Sequence, residues 1–210
     1  MTEQSYNQAI LALAEAGLAA LTARNDNPTS IKTPAAESHF ICNWMAQSLK
    51  ERRFPKLVAE DLTRWIREGR SKGAGAQLPE LLTRIKNQYL PAMENAQVGQ
   101  SLQALIAELE SVGWLIILDC EVSGKLRLES DGQNSLVISV EQYEQHLIDG
   151  KLIKPITLFI RADEQLIAQY AVKHALLLSQ GDKKTSSIKH HKAYRLYPGN
   201  CLPTLALLKA

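Results

Sequence analysis

The sequence predicts an α+β protein: an all-helical N-terminal bundle of about five helices over residues 1–112, followed by residues 113–210 as a mostly antiparallel sheet with two helices. Three observations carry this reading. Apolar residues recur at helical spacing through five segments before Gly113. From Trp114 onward the period changes to continuous or alternating apolar runs of strand length. Gly113 stands at the change, where a left-handed glycine closes a helix. A cap directly before a strand leaves almost no linker, so the two parts are expected to pack together.

Ser5 followed by Gln8 forms a capping box opening the first helix, with Ile10, Leu11, Ala14, Leu18 and Leu21 on one face and an end near Asn25. A turn-rich stretch leads to Pro34, suited to the first position of a second helix whose face is Phe40, Ile41, Trp44, Met45 and Leu49. A third starts at Pro55 with Leu57, Val58, Leu62, Trp65 and Ile66 as its buried stripe, and ends between Gly69 and Gly75. Pro79 starts the fourth, which Pro91 should break. The fifth carries Leu102, Leu105, Ile106, Leu109 and Val112.

Trp114–Leu118 reads as a buried strand, Lys125–Glu129 as its alternating partner and Leu136–Ile138 as a third, with Asp131-Gly132 turning between the last two. The three make an antiparallel meander. Ser139 and Gln142 suggest a second capping box, with Val140, Tyr143 and Leu147 inward and Gly150 beyond the helix end. A strand at Ile156–Arg161 and a helix from Asp163 to about His174 follow, then short strands near Leu176–Ser179 and Ala193–Tyr197.

Composition narrows the functional classes. Apolar residues at 45% and charged residues at 22% are ordinary globular usage. Met1–Gln8 carries Glu3 and no basic residue, and no run of about 20 apolar residues occurs, so neither a secretion signal nor a membrane span is expected. Cys42, Cys120 and Cys201 are odd in number and far apart, which suits free thiols in a cytoplasmic setting. A formal charge of +2 implies no nucleic-acid partner by itself.

Local constellations supply the candidates. On the third helix Arg64, Arg67 and Arg70 lie opposite the apolar stripe, with Lys50, Arg52, Arg53, Lys56 and Lys72 near in sequence. Such a face could meet phosphates or guanine edges, but Glu60 lies on it and Glu51, Asp61 and Glu68 dilute it, which favours an ordinary solvated surface. A second basic cluster joins Lys183, Lys184, Lys189, His190, His191, Lys192 and Arg195, again either a polyanion track or a solvated loop. His174 sits on the apolar stripe of its helix and is expected to be a buried polar residue; Cys120 reads as a packed thiol. His39 and Cys42 supply only two potential metal ligands, and Lys72-Gly-Ala-Gly75 lacks the spacing of a phosphate loop. No catalytic residue, metal or cofactor is assigned.

The segments Glu37-Ser-His-Phe40 through Trp44, Lys50-Glu-Arg-Arg-Phe-Pro55-Lys-Leu-Val-Ala59, Trp65-Ile-Arg-Glu-Gly-Arg70, Asp131-Gly132, Ile160-Arg161-Ala-Asp163-Glu-Gln165 and Tyr197-Pro-Gly-Asn200 resemble an uncharacterised family of unknown function associated with gammaproteobacteria. The likeness covers most of the chain. It implies a bacterial cytoplasmic setting and brings no activity, cofactor or residue role. The leading expectation is a non-enzymatic interaction or regulatory protein with a protein partner. The alternatives are nucleic-acid binding through Arg64, Arg67, Arg70 and Lys72 with Lys189 and Lys192, and a small-molecule enzyme or sensor with its site between the two parts.

Overall fold

The computed structural model describes residues 4–122, 132–180 and 188–210. The chain forms two compact units, Met1–Leu90 and Pro91–Ala210.

In the first unit, α1 (Tyr6–Asn25) opens on the expected capping box: Ser5 Oγ accepts from the Gln8 amide at 3.3 Å, and Gln8 Oε1 accepts from the Ser5 amide at 2.9 Å. Helix α2 (Pro34–Lys50) is capped by Thr33, whose hydroxyl accepts from the Ala36 amide. A single 3-10 turn, Lys56–Val58, leads into α3 (Ala59–Lys72), and a second, Gly73–Ala76, leads toward α4 (Leu78–Glu94). Ile10, Leu13, Ile41, Met45, Leu62, Leu82 and Ile85 are fully buried and form the core of this unit.

The buried face of α2 is rotated from the one expected. Ser38, Ile41, Cys42, Met45 and Ser48 are inside, while Phe40, Trp44 and Leu49 are half-buried. The cause is the close approach of α3: a methyl group on Gly69 would lie 2.8 Å from Cys42 Sγ, so α3 occupies the side of α2 that carries Cys42. Leu57, expected on the buried stripe, is instead exposed in the 3-10 turn. Pro91 does not break the fourth helix but lies inside it. Proline removes the bond to the carbonyl of Asn87, and because both residues are on the exposed side, water can serve that carbonyl.

The second unit begins with the end of α4, followed by α5 (Val98–Ser111). Gly113 has φ +85 and closes α5 as expected: its amide donates to Glu110 O and that of Trp114 to Leu109 O, the paired bonds of a Schellman cap. It is not where the compact units divide, however. The division falls within α4, because Leu102, Leu105, Ile106 and Leu109 of α5 are buried in one core with Trp114, Leu136, Ile138 and Leu158.

Strands β1 (Leu115–Cys120) and β2 (Ser135–Ser139) are neighbours and run parallel, with Ile116 opposite Leu136. This corrects the meander, in which a third strand would separate them; that expected strand, Lys125–Glu129, lies outside the described residues, as does Asp131. Helix α6 (Val140–His146) follows without a side-chain cap from Ser139, and Gln142 Oε1 instead accepts from the Thr157 amide at 2.7 Å. Strands β3 (Leu147–Ile148) and β4 (Lys151–Leu152) then form a hairpin across Asp149-Gly150. Positive φ at both turn residues, +49 and +71, is the type I′ geometry that matches strand twist. Gly150 is therefore a hairpin residue and not a helix end. Gly99 of α5 packs on this hairpin so closely that a methyl group there would collide with Gly150 O and lie 2.8 Å from the Leu152 amide nitrogen.

Strand β5 (Ile156–Arg161), helix α7 (Glu164–Lys173), β6 (Ser179–Gln180) and β7 (Lys192–Leu196) complete the unit. Asp163 caps α7 by accepting from the Gln165 and Leu166 amides at 2.8 and 3.2 Å. The sheet order is β1-β2-β5-β7-β6, antiparallel at every pairing after the first. Asn200, fully buried with φ +52, ties this end together: its Oδ1 accepts from the Leu177 amide, and its Nδ2 donates to Ala92 O and Ala175 O. Among the described residues no helix is long and apolar enough to cross a membrane.

Candidate cationic docking groove

The basic residues around α2 and α3 fall into two sets once their partners are placed. Asp61 is buried and accepts the Tyr6 hydroxyl at 2.7 Å, and its second oxygen takes the Arg64 guanidinium at 2.5 Å. Burial and the Asp61 carboxylate push the Tyr6 phenol upward, so it stays protonated and keeps donating. Arg64, also 6.0 Å from the centroid of the Trp65 ring, thus covers the buried Tyr6–Asp61 pair from the exposed side of α3. Lys72 pairs with Glu68 at 3.7 Å and Arg53 with Glu51 at 2.5 Å. Lys50, Arg52, Lys56, Arg67 and Arg70 have no ion pair among the described residues.

Three of those five cations share one concave surface. A groove of about 710 Å³ is lined by Ala46, Leu49 and Ile66, by Thr63 and Ser71, and by Lys50, Arg67 and Arg70. The helical phase of α3 places Arg67 and Arg70 along one edge, and the last turn of α2 supplies Lys50. Cys42, beneath α3 with its Sγ 3.6 Å from Ile66 O, has a thiol pushed up by burial, and the nearby Arg70 charge only partly opposes this. It is a packed neutral thiol. His39 contacts Asn43 instead of meeting Cys42, and no group of three potential metal ligands converges among the described residues.

The other expected sites resolve into separate contacts. Lys183 and Lys184 lie outside the described residues. Lys192 pairs with Glu164 at 3.0 Å, and that carboxylate also accepts the Tyr194 hydroxyl at 3.2 Å; burial and the same carboxylate push the Tyr194 phenol upward. Lys189 contributes its backbone carbonyl, which lies 3.0 Å from His191 Nδ1. His174 is not the core residue expected: it is the partly exposed C-cap of α7, with Nε2 2.6 Å from Glu108, which also takes Lys173 at 2.5 Å. Hydrogen bonds from Lys173 and His174 hold the Glu108 carboxyl below the usual carboxylate range. Cys120 packs beside Val137, Phe159 and Ile188, and burial together with Asp119 pushes its thiol up.

One contact had no signal in the sequence. Ser135 Oγ, fully buried on β2, lies 2.9 Å from Nε2 of His191, which burial pushes below its usual range. A neutral ring donating from Nδ1 to Lys189 O accepts the serine proton at Nε2, so both buried groups are satisfied. Neither Ser135 nor His191 lines the groove, and the contact reads as a core polar pair.

The molecule is thus an α+β protein whose helical unit carries an apolar groove edged by unneutralised cations. The chain belongs to DUF2913, a family of proteins of unknown function, whose model matches residues 5–209. Neither a curated protein nor a solved structure matches it.

Proposed function

We propose that this is a non-enzymatic, cytoplasmic interaction protein that docks an acidic amphipathic segment of a partner protein in the α2–α3 groove. The observation that carries the reading is the sorting of cations: Arg64 and Lys72 pair with carboxylates, whereas Lys50, Arg67 and Arg70 edge an apolar floor and make no ion pair among the described residues. An apolar floor of Ala46, Leu49 and Ile66 rewards a partner with aliphatic side chains, and the cationic edge rewards carboxylates beside them. A nucleic-acid backbone would use the edge and leave the floor empty. Of the residues first assigned to a nucleic-acid face, Arg64, Lys72 and Lys192 are engaged elsewhere, which also favours the peptide.

The test is fluorescence anisotropy with a labelled leucine- and glutamate-rich amphipathic peptide, its lysine counterpart, and a DNA duplex. The acidic peptide binds and weakens with salt, and the double variant Arg67→Glu/Arg70→Glu loses about tenfold or more in affinity. Equal binding by the lysine peptide, or an unchanged affinity in the double variant, overturns the proposal. Duplex binding that the same variant abolishes, without peptide binding, reassigns the face to nucleic acid.

A further inference from the structure

Leu49 lines both the docking groove and a second, smaller cavity at the α2 C-terminus. This one encloses about 290 Å³ and is lined by Ser48, Leu49, Arg52, Phe54, Pro55, Lys56, Ala59 and Leu62. Ser48 is fully buried, and its hydroxyl has no hydrogen-bond partner among the described residues. That is unusual for a helical hydroxyl, which ordinarily bonds back to the preceding turn. Thr22, Thr63 and Thr83 each do so here, donating to Leu18 O, Ala59 O and Pro79 O. The two cations at the cavity, Arg52 and Lys56, also make no ion pair among the described residues. Arg52, which lines the cavity, holds φ +53 as the left-handed residue of a Schellman cap that closes α2, its amide donating to Leu49 O and that of Arg53 to Ser48 O.

We propose that this cavity binds a small organic oxyanion: a single-ring body lying against Phe54, Pro55 and Leu62, and a phosphate or carboxylate head held by Arg52 and Lys56, with Ser48 donating a hydrogen bond. At about 290 Å³ the volume falls just under the range of drug-sized ligand sites, about 300–1,000 Å³, which limits the occupant to one ring and its head group. Arg52 supplies a planar fork for two oxygens and Lys56 a compact charge. The Phe54 wall is fixed from behind by Trp44, at 5.9 Å between ring centroids. This goes beyond the docking groove, since neither Arg67 nor Arg70 lines the cavity.

Isothermal titration with phenyl phosphate, benzoate, inorganic phosphate and benzyl alcohol tests the assignment. Phenyl phosphate and benzoate bind saturably, and both the neutral alcohol and the ringless phosphate bind about tenfold or more weaker. Arg52→Gly, which relaxes the left-handed backbone while removing the guanidinium, weakens phenyl phosphate about tenfold. Ser48→Ala weakens it roughly fivefold and leaves the Tm of the free protein unchanged or raised, because no internal bond is lost. Arg67→Glu/Arg70→Glu keeps the affinity, so this test and that of the docking groove can fail separately. The proposal is overturned if neither organic anion binds, if the alcohol or inorganic phosphate binds equally well, if Ser48→Ala leaves affinity unchanged or lowers Tm, or if the double variant abolishes binding.

Discussion

The α2–α3 region and the region joining α5, α7 and β7 are both rich in cations, and they use them in opposite ways. Around α7, Lys173 and His174 share Glu108, and Lys192 and Tyr194 share Glu164, so charge and hydrogen bonding are consumed in holding elements together. Around α3, among the described residues, only Arg53, Arg64 and Lys72 are paired, and five other cations stand beside concave apolar surfaces. A basic cluster in a sequence is therefore not a unit of function. What decides availability is whether a carboxylate reaches each cation, and that depends on helical phase in one region and on which residues of α7 meet α5 and β7 in the other.

If the sheet unit spends its polar groups on structure, disturbing them should cost stability, whereas disturbing the groove should not. The largest effect is expected at Asn200. Asn200→Gly retains the left-handed backbone and removes the side-chain bonds to Leu177, Ala92 and Ala175, so unfolding in urea should show a loss of about 3 kcal/mol or more. A loss below about 1 kcal/mol would mean that water replaces the clip, and the contrast between the regions would weaken.

A smaller, pH-dependent effect is expected at His191. Its folded-state pKa lies below the ordinary 6.5, so the unfolded chain binds the proton more readily. The associated stability is fully present above about pH 6.5 and is lost as pH falls through the folded value. Urea midpoints for the protein and for His191→Gln, measured at about pH 7.5 and 5.5, should show a steeper acid-side decline for the unsubstituted protein. Parallel declines would break the assignment of His191 as a buried neutral ring.

The smallest effect is expected at the groove itself. Arg67→Glu/Arg70→Glu removes no ion pair, so its stability should stay within about 0.5 kcal/mol of the parent in the same urea experiment, even though peptide binding is lost. A large destabilisation would show these arginines to be structural, which would make the two regions alike.

The contrast between two serine–glutamine pairs shows what could be read from the sequence. Ser5 and Gln8 close a capping box because every group involved lies within three residues. Ser139 and Gln142 have the same spacing, yet the Gln142 carbonyl is taken by the Thr157 amide of the neighbouring strand, a partner that no local pattern reveals. The helices, the Gly113 cap, the start of a helix at Asp163 and the strand Ile156–Arg161 were legible because their causes are local. The parallel pairing of β1 with β2 and the Ser135–His191 pair, 56 residues apart, depend on strand order and were not. At the candidate groove, Arg67 and Arg70 could be named from helical phase alone. The pairing of Arg64 with Asp61 is a local i,i+3 contact, but the Tyr6 hydroxyl that takes the other Asp61 oxygen comes from 55 residues away, and that Ser48 would be left without a partner had no sequence signal at all.

Gly99 and Gly150 meet main chain to main chain, with no room for a methyl group between helix α5 and the β3–β4 hairpin. Most contacts in a core are set by side chains that can change rotamer and absorb an error, but here two backbones touch directly. The spacing behaves as a hard stop: substitutions elsewhere in the core can loosen the packing around it, but none can bring the hairpin closer to α5.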